Sequence, residues 1–230
     1  MARLGLVVPS SNTTAEPEFR AMAPDDSTVH AARMPLEDVT ADRLDEMADG
    51  AERAAELLSH ADVDGVAYAC TTGSLLHGTG FDTELESRLS ELTGAPAVAT
   101  ALSVTRALDE LDVETLAVVT PYASELDELE REYLTESGFD VASIDGRGLV
   151  ENTEIGGLTP SDAERQVRSS LGDDPDVDGV FVSCTNYRSL SALAACEERL
   201  GVPVVSSNLA TMWDLGNRLG LDVDLSTSLV

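Results

Sequence analysis

The sequence predicts an α/β fold of two pseudo-symmetric, Rossmann-like halves with mostly parallel sheets and an active site in the cleft between them. Two observations lead to this prediction. Short runs rich in Val, Ala and Leu alternate with longer amphipathic stretches, which is typical of a parallel sheet covered by helices. In addition, the first half of the chain recurs in the second half, which indicates a duplicated unit.

The elements follow one another in the order expected for repeated strand–helix units. The predicted strands are Leu4–Val8, Val29–Arg33, Gly65–Tyr68, Ala97–Ala99, Thr115–Val119, Asp140–Ser143, Gly179–Val182 and Val204–Val205. The clearest predicted helices between them are Ala41–Ser59, Glu84–Leu92, Ser124–Ser137 and Ser161–Leu171. Strands this short and apolar, separated by helical stretches, favour buried parallel pairing.

The internal repeat is carried by three blocks in the same order. Residues 62–76 (DVDGVAYACTTGSLL) match residues 176–190 (DVDGVFVSCTNYRSL), so Cys70 falls on Cys184. GAPAV at 94–98 matches GVPVV at 201–205, and LGLVVP at 4–9 matches LAVVTP at 116–121. We therefore predict a first half at residues 1–111 and a second half at residues 112–205.

The charge is strongly acidic. There are 43 Asp and Glu residues against 14 basic residues, a formal net charge of −29, and every basic residue is Arg. The acidic residues are spread along regular apolar patterns, which favours a folded, hydrated surface adapted to a salty cytoplasm. The same charge argues against nucleic acid and anionic membranes as partners, since both require basic patches. No apolar run approaches the length of a membrane helix, so a soluble, cytoplasmic protein is expected.

The residues that hold metals and nucleotides are sparse. The 3 Cys and 3 His residues are too scattered for a disulfide scaffold or a zinc site, and no CxxC pair occurs. Neither GxxxxGK[ST] nor GxGxxG follows a strand, which disfavours a nucleotide. We therefore expect neither a metal nor a cofactor.

Cys70 and Cys184 each follow a predicted strand, at the edge of the sheet where ligands bind in open α/β folds. A helix starting after each cysteine would lower the pKa of its thiol and favour thiolate. Thr71 and Thr185 follow the two cysteines and could donate hydrogen bonds to an anion. The alternative is that each cysteine is a small buried hydrophobe. Their matching positions in polar loops favour a pair of functional thiols facing one cleft.

Three further residues could contact a carboxylate substrate. Asn12 lies in the polar loop PSSNTT after the first strand, where hydroxyl, amide and main-chain N–H groups suit an anion; helix capping is the alternative. Tyr122 follows the corresponding strand of the second half, and could instead pack at the loop edge. Asn152 precedes the Gly156–Gly157 pair, and could instead mark a turn.

The strings VVPSSNTTAEPEF, ACTTGSLL, TPY, ENTEIG and SCTNYRSL, in this order, resemble the maleate cis–trans isomerases of the Asp/Glu racemase superfamily. The resemblance spans nearly the whole chain. It implies that Cys70 is the nucleophile, that Cys184 is the partner acid and base, and that Asn12, Tyr122 and Asn152 hold the substrate carboxylates. It also implies that a C-terminal helix within residues 206–230 packs back on the first half. The related arylmalonate decarboxylases lack one of the two cysteines, whereas both are present here.

The resemblance implies conversion of maleate, or a related cis-unsaturated dicarboxylate, to fumarate through a covalent cysteine adduct. The partner would be a small dicarboxylate, and the protein a homodimer or higher oligomer. The main alternative is an aspartate/glutamate-type racemase, in which the two thiols act as acid and base on opposite faces of one carbon. A binding protein of the periplasmic type also has two α/β lobes, but has no need of paired cysteines.

Overall fold

The two halves recur as two parallel sheets. A computed structural model describes residues 1–36, 41–172 and 176–229, with only the backbone of residues 41–49. Within these residues, the first sheet contains β1 (Arg3–Pro9), β2 (Thr28–Met34), β3 (Gly65–Tyr68) and β4 (Ala97–Ala99) in the order β2-β1-β3-β4. The second contains β5 (Thr115–Tyr122), β6 (Asp140–Leu149), β7 (Gly179–Val182) and β8 (Val204–Ser206) in the order β6-β5-β7-β8. All pairings are parallel, so the predicted fold class is confirmed.

Helices cover the sheets and connect consecutive strands. They are α1 (Ala15–Met22), α2 (Ala41–Ser59), α3 (Thr72–Leu75), α4 (Phe81–Thr93), α5 (Thr100–Glu110), α6 (Ser124–Glu136), α7 (Asn152–Gly156), α8 (Pro160–Leu171), α9 (Leu190–Leu200) and α10 (Ser207–Leu219). None of the helices in the described part of the chain is long and apolar enough to cross a membrane.

The sequence underestimates the length of two strands. β5 continues to Tyr122 and β6 continues to Leu149, well beyond the predicted ends. β6 is an edge strand whose second half is largely exposed, so it lacks the apolar run that marks a buried strand. The register between the two strands shifts after Thr120, where Pro121 interrupts the pairing.

The last helix connects the two halves. α10 follows β8 of the second sheet but packs against α5 beside the first sheet. Thr211 donates to the hydroxyl of Thr100 across 2.9 Å, and Ser103 donates to the carboxylate of Asp214 across 2.8 Å. The residue boundaries of the two halves stay a prediction, and position 230 of the predicted C-terminal segment lies outside the described residues.

Candidate functional site

Cys70 lies between the end of β3 and the start of α3, and its side chain is buried. Burial raises the pKa of its thiol, because a thiolate loses hydration. Four hydrogen bonds oppose this rise: the main-chain N–H of Gly73, the hydroxyls of Thr72 and Tyr68, and the main-chain N–H of Thr72. The Thr72 hydroxyl lies 3.8 Å from the sulfur. The site therefore favours thiolate at Cys70 more than burial alone would allow.

Cys184 follows β7 and has a φ of +89°, in the left-handed region that side chains rarely adopt. Burial raises the pKa of its thiol to about 12, and negative charge on Cys70 and Glu130 adds to the rise. The Tyr122 hydroxyl and the main-chain N–H of Asn186 oppose it, the latter 3.3 Å from the sulfur. The Cys184 sulfur therefore accepts fewer hydrogen bonds than the Cys70 sulfur, which favours the protonated thiol at Cys184.

The expectation that helix N-termini lower both thiol pKa values is wrong. Burial dominates at both positions and raises both pKa values. The helix after Cys70 has 4 residues, which is too short for a substantial macrodipole. After Cys184 the next helix begins only at Leu190. The donors that favour thiolate at Cys70 are individual N–H and O–H groups instead.

The loops that carry the two cysteines are bonded to each other. The hydroxyl of Thr185 donates to the main-chain carbonyl of Ala69 across 3.1 Å. Ser207, the first residue of α10, accepts from the Thr71 hydroxyl at 2.9 Å and from the main-chain N–H of Cys184 at 3.0 Å. The hydroxyls of Thr71 and Thr185 thus hold the two cysteine loops together, and their contact with a substrate anion stays a prediction.

Asn12 from the PSSNTT loop reaches the Cys184 loop. Its Nδ2 donates to the hydroxyl of Thr185 across 3.0 Å. Its Oδ1 accepts from the main-chain N–H groups of Thr14 and Ala15, both at 2.9 Å, at the start of α1. Asn12 therefore does cap the start of a helix, while the second hydrogen on its Nδ2 remains available to an anion.

Asn152 begins α7 and meets the same loops. Its Nδ2 donates to the hydroxyl of Ser11 across 2.8 Å, and its Oδ1 accepts from Asn186 across 3.0 Å. Asn186 in turn accepts from the main-chain N–H of Thr13 at 2.9 Å. A Cβ at Gly156 would lie 2.7 Å from the Thr13 hydroxyl, so this glycine permits the close approach of α7 to the first loop. Asn12 and Asn152 thus belong to one buried polar network.

Each of the two thiols is hydrogen-bonded to a buried tyrosine. Tyr122, buried at the end of β5, bonds to Cys184, and Tyr68, buried at the end of β3, bonds to Cys70. The sequence predicts a role for Tyr122 but not for Tyr68. Tyr68 is the last residue of a predicted strand that leads directly to Cys70, and this position is the signal that could have identified it. Ser207 has no comparable signal, since its role depends on where α10 folds back.

Two similar α/β halves each bring one free, buried thiol to a shared hydrogen-bond network, an arrangement typical of enzymes with cysteine-based chemistry. The model of the arylmalonate decarboxylase family matches residues 4–228. A maleate isomerase from Pseudomonas putida is 33% identical over 236 residues, covering 96% of this chain and 92% of that protein. The chain therefore belongs to the arylmalonate decarboxylase/maleate isomerase family.

Solved structures of similar proteins agree with this assignment. A cysteine-to-alanine variant of the maleate isomerase from Pseudomonas putida S16, solved with maleate, is 30% identical, with a TM-score of 0.93, covering 99% of this chain and 96% of that chain. A cysteine-to-serine variant of the Nocardia farcinica maleate cis–trans isomerase is 28% identical, with a TM-score of 0.91, covering 99% of this chain and 97% of that chain. That second structure contains a covalently bound succinylcysteine intermediate.

Proposed function

We propose that this protein is a cofactor-independent cis–trans isomerase, which converts maleate or a related cis-unsaturated dicarboxylate to its trans isomer. The observation that carries the proposal is the pair of buried free thiols with unequal surroundings, one in each half. The succinylcysteine in the Nocardia farcinica enzyme supports a covalent route, because that group is what a cysteine forms by adding to maleate.

Cys70 is the nucleophile in this proposal. Its thiolate adds to one alkene carbon, and the π electrons of the double bond move to the neighbouring carbon and its carboxylate. The four hydrogen bonds to the Cys70 sulfur support this role, because they favour the thiolate that attacks.

Cys184 is the proton donor. It transfers its thiol proton to the carbon next to the one attacked, which gives a succinyl adduct with a single central bond. Rotation about that bond places the carboxylates trans. Cys184 thiolate then takes the proton back, the carbon–sulfur bond breaks, and the electron pair returns to Cys70. A raised pKa suits a group that starts and ends the cycle protonated.

Neutral donors hold the substrate carboxylates in this proposal. Asn12 and Asn152 bond to Thr185 and Asn186 in the loop that carries Cys184, and Tyr122 bonds to the Cys184 sulfur. Each asparagine Nδ2 has a second hydrogen beyond the one it donates within the protein. Thr71 and Thr185 fix the loops that bear these donors. Donors without charge stabilise developing negative charge while leaving the product free to dissociate.

Trapping the adduct tests the proposal. Cys184→Ser protein incubated with maleate should gain the mass of one molecule of maleic acid, and peptide mapping should place it on Cys70. Cys70→Ser should show no adduct and no turnover, and Cys196→Ser should behave as the unchanged protein. An adduct on Cys184, or turnover retained by Cys70→Ser, would contradict the assignment. Racemisation of L-aspartate without maleate turnover would indicate the racemase instead.

We further propose a cytoplasmic, salt-adapted protein that assembles as a homodimer or higher oligomer. The 3 free cysteines suit a reducing compartment, and the net charge of −29 suits concentrated salt. The oligomer is inferred from the family resemblance. Sedimentation in 0.1 M and in roughly 2 M KCl would test the assembly under dilute and strongly screened conditions.

A further inference from the structure

Glu130 occupies a position in α6 where an apolar side chain would be expected. The buried residues of this helix are Leu126, Asp127, Glu130, Tyr133 and Leu134, which recur at helical spacing. Glu130 is 1% exposed, although burying a carboxyl group is costly unless it is fully bonded. No cation contacts it among the described residues, so its presence is not explained by an ion pair.

The carboxyl of Glu130 is bonded on one side only. Its Oε1 accepts from the hydroxyl of Ser183, the residue immediately before Cys184. Its Oε2 is buried without a partner in the structure described. Glu130 also lines a cavity of about 10 Å³ together with Thr71, Tyr133 and Phe181, which is about the room one water molecule needs. The group thus lies beneath the loops that carry both thiols.

The residue that follows Ser183 is strained. Cys184 has a φ of +89°, and such a conformation persists only when surrounding contacts hold it. On the far side, Ser207 accepts from the main-chain N–H of Cys184. On the β7 side, the main-chain N–H of Ser183 donates to the carbonyl of Val119 across 2.9 Å, and the Ser183 hydroxyl donates to Glu130. The turn at Cys184 is therefore fixed from both directions.

The titratable groups around Glu130 are few. They are Asp127 on the same helix, Cys184 after β7, Tyr122 at the end of β5, and Tyr133 in the shared cavity. Burial raises the pKa of Glu130 to about 8, and the charge of Asp127 adds to the rise. Once Glu130 is ionised, its charge opposes a second negative charge on Cys184.

We infer that Glu130 is a positioning residue, which acts through Ser183 to hold the strained turn at Cys184 and, once its carboxyl is ionised, opposes thiolate formation at Cys184 through its charge. The benefit of a protonated Cys184 rests on the proposed function, in which this thiol is the acid. The hold on the turn and the effect on the thiol are properties of the protein without substrate, so they are measured separately.

The charge is tested by alkylation in a Cys196→Ala background, with peptide mass mapping of Cys184. At pH 9, where Glu130 is ionised, Glu130→Gln should raise the alkylation rate of Cys184 about three- to tenfold, because thiolate increases. At pH 6.5 the two proteins should agree within about twofold, because Glu130 is then protonated. Asp127→Asn, which removes a buried carboxyl one turn away, should leave the Cys184 rate unchanged. Equal rates at pH 9 with and without the Glu130→Gln substitution would overturn the inference.

The hold on the turn is tested by turnover. Ser183→Ala keeps the Glu130 carboxyl but removes the hydroxyl bonded to it. The kcat should then fall about tenfold with KM within about threefold, because the Cys184 thiol is displaced while substrate binding is retained. Glu130→Gln keeps an acceptor for Ser183 and should retain kcat at pH 7. If the Gln variant does not fold by circular dichroism, Ser183→Ala decides, and unchanged kcat overturns the inference. Absence of maleate turnover in the unchanged protein would refute the proposed function and leave the alkylation test standing.

Discussion

The hydroxyl of Thr185 donates a hydrogen bond to the main-chain carbonyl of Ala69 across 3.1 Å, so the residue after one thiol is bonded to the residue before the other. The same hydroxyl accepts from Asn12 at 3.0 Å. One side chain therefore joins both cysteine loops and the first polar loop. The relative position of the two thiols depends on this group, and covalent catalysis by two residues is sensitive to such positions.

Replacing Thr185 by Val removes the hydroxyl while keeping the shape of the side chain. The Ala69 carbonyl and the Asn12 amide each lose a buried partner, so the free energy of unfolding should fall by about 1 to 3 kcal/mol. Turnover on maleate should fall about tenfold or more, as the loops lose their fixed spacing. Urea denaturation and steady-state kinetics measure the two effects. Thr185→Ser restores the hydroxyl and should recover both, and a Val variant with normal turnover would contradict this role.

The fold could be predicted because its two signals, the alternation of apolar and amphipathic stretches and the internal repeat, are read directly from the order of the residues. Apolar strands such as Gly65–Tyr68 have the same bounds in the structure, and the repeat aligned Cys70 with Cys184. The candidate residues Asn12, Tyr122 and Asn152 also meet near the thiols, since the carboxyl ends of parallel strands share one edge.

The remaining features could not be predicted because they depend on burial and on contacts distant in sequence. Whether a thiol pKa rises or falls depends on the balance between desolvation and nearby donors, and that balance needs coordinates. Ser207 bonds the Cys184 loop only because α10 starts at that point after β8. Glu130 looks like a surface residue in an acidic helix, and only the structure shows it beneath Cys184.

The Tyr68 hydroxyl should set the pH dependence of the nucleophile. It bonds the Cys70 sulfur and lowers the pKa that burial raises, so Tyr68→Phe should raise that pKa further. Turnover depends on thiolate, and its rise with pH should therefore move to higher pH, with about three- to tenfold less activity at pH 8. The alkylation rate of Cys70 should fall by the same factor. Unchanged pH profiles and alkylation rates would show that Tyr68 does not act on the sulfur.

Glu130 should make stability depend on pH. Its pKa is about 8 in the folded protein against an ordinary value of 4.5, so between these values the folded state retains a proton that the unfolded state releases. Stability from this group is complete below the unfolded pKa and is lost as pH rises toward 8. From pH 5 to pH 8, the free energy of unfolding of Glu130→Gln, measured by urea denaturation, should rise relative to that of the unchanged protein by a few kcal/mol, at most about 4. A constant difference across that range would contradict the raised pKa.

The acidic surface should make stability depend on salt. A net charge of −29 repels itself, and the Debye length falls from about 10 Å at 0.1 M to about 3 Å at 1 M salt. The urea midpoint should therefore rise with KCl over that range. The slope of the unfolding free energy against urea should stay the same, which identifies the change as one of stability rather than of the unfolded state. A midpoint independent of KCl would contradict adaptation to salt.

A partly buried ion-pair cluster and an exposed ion pair should respond differently to concentrated salt. Arg106 lies 2.7 Å from Glu86 and 2.6 Å from Asp214, whose side chain is 7% exposed, and so fixes α10 against α4 and α5. Arg88 lies 2.9 Å from Glu52, whose side chain is 49% exposed. Arg106→Gln should lower the free energy of unfolding by about 2 to 4 kcal/mol; the loss is limited because Arg218 still contacts Glu86 and Asp214. Salt should not reduce this loss, because it does not screen a buried charge that lacks a partner.

Arg88→Gln is the matched control for the exposed pair. It should change the free energy of unfolding by less than about 1 kcal/mol in 0.1 M KCl, and the difference should vanish at about 2 M, because screening acts on solvent-exposed charges. The Arg106→Gln defect should persist across the same KCl series. If both defects faded equally, the contacts among Arg106, Glu86 and Asp214 would be as solvated as a surface pair, and α10 would be held to the first half by its apolar packing and its hydroxyl hydrogen bonds instead.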